Sequence, residues 1–88
     1  MNRNTPIATI TDDARVVAAA IRRRVCATDG PVLAWTGNGE VYARPATTRS
    51  AQYAERHHPD AILGMYTRRI KVTDIEEDVR EMQSGVVA

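Results

Sequence analysis

Apolar residues recur along this chain with two different periods, and the switches between them mark out its elements. Ala14, Val17, Ala18, Ile21 and Val25 follow one another at the three- and four-residue spacing of a helix with one buried face. The surrounding stretch, "TDDARVVAAAIRRRVCA", offers Thr11 as N-cap and puts Asp12 and Asp13 in the first turn. Arg22, Arg23 and Arg24 fall near the last turn, so each charge suits the nearer end of the helix dipole. "TDGP" stops the helix, because Gly30 tolerates a left-handed conformation and Pro31 cannot continue it.

Period two takes over in "VLAWTGNGEVYAR". Two short runs of β formers flank Asn38-Gly39, the dipeptide of a type I′ turn, which predicts a hairpin. That turn sets Trp35 opposite Tyr42 and Leu33 opposite Arg44 on one face, with Val32, Ala34, Val41 and Ala43 on the other. The small aliphatic face suits the first helix better. If nothing covers the aromatic face, it displays Trp35, Tyr42 and Tyr66 as a partner site.

In "RPATTRSAQYAERHHP", Thr47 or Thr48 can cap a short helix with Ala51, Ala54 and His58 on one face and Tyr53 and His57 on another, ending before Pro59. "AILGMYTRRIKV" alternates Ile62, Gly64, Tyr66, Arg68, Ile70 and Val72 with Leu63, Met65, Thr67, Arg69 and Lys71, a third strand with a bulge near Gly64. Last comes the box Thr73-x-x-Glu76 with Ile75, Val79 and Met82 in line and Gly85 as stop, an amphipathic helix with an acidic outer face. The expected fold is α+β: one domain over residues 11–85, order αββαβα, with a three-stranded, mainly antiparallel sheet packed against helices. Residues 1–10 form an arm that is flexible or adds an edge strand, and 86–88 a short tail.

Length and composition limit what this fold can hold. A chain of 88 residues supports one small core, and with aromatics at 5% and no Phe that core is lean. Lean cores gain stability from partners or second copies, so a homodimer is one expectation. The single cysteine, Cys26, excludes an internal disulfide and any multi-cysteine zinc site, and points to a reducing cytoplasm. With no apolar run of membrane-spanning length, no membrane association is expected. Net charge is +1, unevenly spread: residues 14–72 carry ten basic and four acidic side chains, residues 73–88 one basic and five acidic.

The chemical candidates are mostly weak. Adjacent side chains on a helix diverge by about 100°, so His57 and His58 do not share a metal ion as an i, i+4 pair would. Cys26 has nothing to orient it against a base, and reads as a small buried hydrophobe. "TGNG" lacks the helix that would complete a phosphate cradle, and the acidic residues form a helix face, not an acid and base couple. No catalytic residue, metal ligand or cofactor is predicted, and no enzyme.

Two binding readings stay open. A protein-binding module would use Trp35, Tyr42 and Tyr66 together with Glu76, Glu77, Asp78 and Glu81, whose carboxylates could stand in for phosphates on a nucleic-acid-binding complex. Size and class, rather than any residue, suggest an inhibitor or accessory factor carried by a phage or plasmid, of the anti-CRISPR kind. The alternative is a nucleic-acid-binding regulator whose Arg22, Arg23, Arg24, Arg44, Arg49, Arg68, Arg69 and Lys71 converge from three elements on one surface.

Overall fold

The computed structural model describes residues 5–87, with side chains as far as residue 85. The elements run β1 (Ala8–Thr9), α1 (Ala14–Cys26), β2 (Val32–Gly37), β3 (Glu40–Pro45), α2 (Arg49–His57), a 3₁₀ turn (Pro59–Ala61), β4 (Ile62–Tyr66) and α3 (Val72–Val87). The sheet is antiparallel throughout, in the order β1-β3-β2-β4. It has four strands where three were expected: Ala8 and Thr9 of the arm pair with Val41 and Glu40, and Ile10 is buried in the core.

The hairpin forms as the turn chemistry dictates. Asn38 and Gly39 both take positive φ, at 54° and 82°, and the register sets Trp35 against Tyr42 and Leu33 against Arg44. Strand parity then sends Val32, Ala34, Val41 and Ala43 to one face, where they pack with Val17, Ile21 and Val25 of α1 and with Ile75 and Val79 of α3. The first helix buries the five residues of its apolar line. Its cap is Asp13, not Thr11: the Asp13 carboxylate accepts from the Arg15 amide, while Asp12 turns back to accept from the Thr9 amide.

The other sheet face is closed as well. Leu33 and Trp35 lie under Ala51 and Ala54 of α2, with Tyr42, Ala46 and Ile62 around them. Alanines at the contact positions let this helix sit close to the sheet, and Thr48 caps it. Trp35, stacked on Tyr42 at 5.6 Å between ring centroids, is only 7% exposed, so the open aromatic face does not form.

Two further departures have local causes. The register between β2 and β4 slips between Ala34 and Trp35, which leaves Leu63 as the extra residue of a bulge. Simple alternation places Ile62 and Tyr66 on the same face; the bulge sends Ile62 under α2, and Leu63 and Tyr66 into the core beneath α1 and α3. The strand ends at Tyr66 instead of running to Val72, because Thr67 to Ile70 close a turn before α3 begins. Helix α3 starts one residue before the expected cap Thr73 and continues through Gly85 to Val87, so Gly85 does not stop it.

Candidate functional site

Two grooves of opposite charge character lie on this scaffold. The first opens where the start of β4 meets the second half of α3. It measures about 460 Å³, with Leu63 and Met82 as apolar floor, Ile62 at its margin, and Asp60, Asp78 and Glu81 as rim. Among the described residues β4 pairs only with β2, so its other side is an edge of the sheet beside this groove. Met65 on the same strand is 50% exposed.

The acidic side chains of α3 differ in availability. Glu76 accepts from the Arg80 guanidinium one turn on and also lies 3.9 Å from Arg15 of α1, so its charge is already answered. That pairing raises the Arg80 pKa, chiefly through the hydrogen bond. Asp78 accepts a 2.8 Å hydrogen bond from the Tyr66 hydroxyl. Burial, then the hydrogen bond to Asp78 and its charge, hold the Tyr66 phenol well above the usual tyrosine range. Glu77 and Glu81 are exposed. Of the four carboxylates predicted as one phosphate-like face, Glu76 is turned toward basic partners, and only Asp78 and Glu81 line the groove. Asp60, which completes its rim, was not among the acidic residues expected to bind a partner; the 3₁₀ turn that leads into β4 brings it there.

The second groove lies along β3 and α2 and measures about 730 Å³. Arg44, Arg49 and Arg56 wall it with Tyr53 and His57, and among the described residues no carboxylate lines it. Tyr53 is 59% exposed, its ring 4.4 Å from that of His57 and tilted by 37°. Both histidines are exposed, so His58 does not share the buried face of Ala51 and Ala54. It lies at the C-cap, beyond the last helical residue, where the backbone has left the helical conformation.

The arginines expected to converge are separated by the sheet. Arg44 and Arg49 line the α2 groove, whereas Arg22, Arg23 and Arg24 belong to α1 on the opposite layer, Arg23 and Arg24 beside Ile7 and Ala27. Arg68 donates to the Asp29 carboxylate and the Thr28 carbonyl, tying the turn after β4 to the end of α1. Arg69 sits in that same corner, and Lys71 is exposed just before α3. Arg56 is the member of the basic groove that the sequence reading passed over. Its place three residues after Tyr53 on a helix is the signal that identifies it.

Cys26 is exposed, not buried: it follows Val25, which faces the core, and one residue further along the helix rotates it outward. Among the described residues no group of three or more His, Cys, Asp or Glu side chains is placed to hold a metal ion. No helix of the described residues is long and apolar enough to cross a membrane. No known protein family, curated protein or solved structure matches this chain.

Proposed function

We propose that this chain is a small, non-enzymatic protein-binding module, an inhibitor or accessory factor of the reducing cytoplasm that occupies a surface of a larger complex. The observation that carries the reading is the groove beside β4. An open strand edge next to an apolar floor with an acidic rim suits an extended segment that adds a strand through its backbone, places alternate apolar side chains on Leu63 and Met82, and sets Lys or Arg against Asp60 and Glu81. A basic segment of this kind occurs on proteins that handle nucleic acid, which is where carboxylates can replace phosphates.

Peptide display against the purified protein tests this. Enriched peptides should alternate apolar and basic residues, shift the amide resonances of Ile62 to Tyr66, and bind at least about tenfold more weakly to Asp60→Lys/Glu81→Lys. Peptides without a basic bias, or equal binding to that variant, would remove the reading. Pairing of β4 with a second copy would use the same edge. Sedimentation equilibrium separates the cases, because a β4-mediated homodimer should dissociate on Met65→Lys.

A further inference from the structure

We propose that the α2 groove is a second binding site, for the backbone of a single-stranded nucleic acid, with Arg49 and Arg56 on phosphates and a base stacked on Tyr53. The site shares no residue with the groove beside β4, and the inference does not rest on the protein-binding reading.

Placement of the residues on α2 is the first argument. Ala51 and Ala54 face the sheet, and Arg49, Tyr53 and Arg56 therefore share the outer side at i, i+4 and i+7. At 1.5 Å per residue the two arginines are about 10 Å apart along the axis, with the ring between them. From those positions the long arginine side chains can reach phosphates on either side of a base that stacks on the ring between them. Arg44 from β3 adds a third guanidinium to the same groove.

The aromatic ring is the second. A tyrosine that is 59% exposed contributes little to the core, yet this one is braced by the neighbouring His57 ring at 4.4 Å, which limits its rotamers in advance of any ligand. A ring ordered this way is a platform on which an unpaired base can stack. The groove is shallow and the helix has nine residues, so it follows a single strand without needing to enter a duplex groove. Carboxylates alone would satisfy the arginines without engaging the ring.

Fluorescence anisotropy of labelled oligo-dT and oligo-U, about 15 nucleotides long, across about 20 to 300 mM salt tests this directly. For two to three phosphate contacts, log affinity should fall against log salt with a slope of about −1.4 to −2. Arg49→Ala/Arg56→Ala should remove most of that slope. Tyr53→Ala should weaken binding about 5- to 150-fold with the slope unchanged, and Tyr53→Phe should restore it. Arg23→Ala/Arg24→Ala, on the opposite layer, should bind as the wild type does. A preference between the two polymers supports the site in either case. Absence of binding to both at the lowest salt overturns the proposal. So does equal loss in the Arg23/Arg24 variant, full binding by Tyr53→Ala, equally tight binding of duplex, or displacement by polyglutamate as effective as by oligonucleotide.

Discussion

The Tyr66 ring folds back along its own strand over Gly64, so closely that a Cβ at Gly64 would stand 2.7 Å from the hydroxyl oxygen and 2.8 Å from Cζ. The space left by the missing side chain lets the phenol reach across to Asp78 and join the edge strand to α3. At 4% exposure and with its hydroxyl bonded, the ring has little freedom to move aside.

Gly64→Ala should therefore destabilise the protein by about 1–3 kcal/mol in urea unfolding, because the overpacking exceeds the roughly 0.5–1 kcal/mol that alanine gains over glycine in backbone entropy. In a Tyr66→Ala background the same change should be neutral or stabilising. An equal loss in both backgrounds would show that the ring is not the cause.

Tyr66→Phe should cost about 1 kcal/mol at neutral pH, the worth of one hydrogen bond whose acceptor can turn partly to water. The larger effect lies at high pH. The folded protein holds the Tyr66 proton more tightly than the unfolded chain, whose tyrosine has the ordinary value of 10.0. The stabilisation is thus complete below about pH 10 and is lost as pH rises above it, by up to about 1.36 kcal/mol per pH unit. Urea midpoints between pH 8 and 11.5 should decline more steeply for the wild type than for Tyr66→Phe; parallel declines would assign the alkaline loss to other groups.

Gln83 of α3 donates from one amide nitrogen to two carbonyls, Ile10 at 2.9 Å and Asp12 at 2.8 Å, and so clamps the segment between β1 and α1. Gln83→Ala should cost about 1–2 kcal/mol. Hydrogen exchange should quicken first at the amides of Ile7 and Ile10, which bond to Val41 and Gly39, before any change in β2. Uniform quickening throughout the sheet would argue that Gln83 supports the whole fold and not this strand.

Ala51 is fully buried between α2 and the Leu33–Trp35 surface. Ala51→Leu should lift the helix, destabilise by about 1–3 kcal/mol and expose Trp35, the only tryptophan, so that its emission shifts to the red. Unchanged emission would mean that the layer can absorb a larger side chain.

The sequence alone determined whatever depends on near neighbours. The helical line from Ala14 to Val25, the Asn38-Gly39 turn, and the register that opposes Trp35 and Tyr42 all follow from spacing and backbone preference, and each is present. Tertiary structure decided what depends on distant partners. The pair at Ala8 and Thr9 is too short to have a period, and becomes a strand because β3 offers an edge. The bulge at Leu63 reverses which core receives Tyr66, a one-residue slip that alternation cannot foresee. Whether the aromatic face would be open was settled by α2, whose two alanines carry too weak a pattern to say which sheet face they seek. The candidate sites show the same division. Glu81 and Arg49 were legible as charges on helices, but the sheet, by keeping α1 and α2 in opposite layers, split the arginines into separate surfaces and gathered Arg44, Arg49, Tyr53 and Arg56 into one groove.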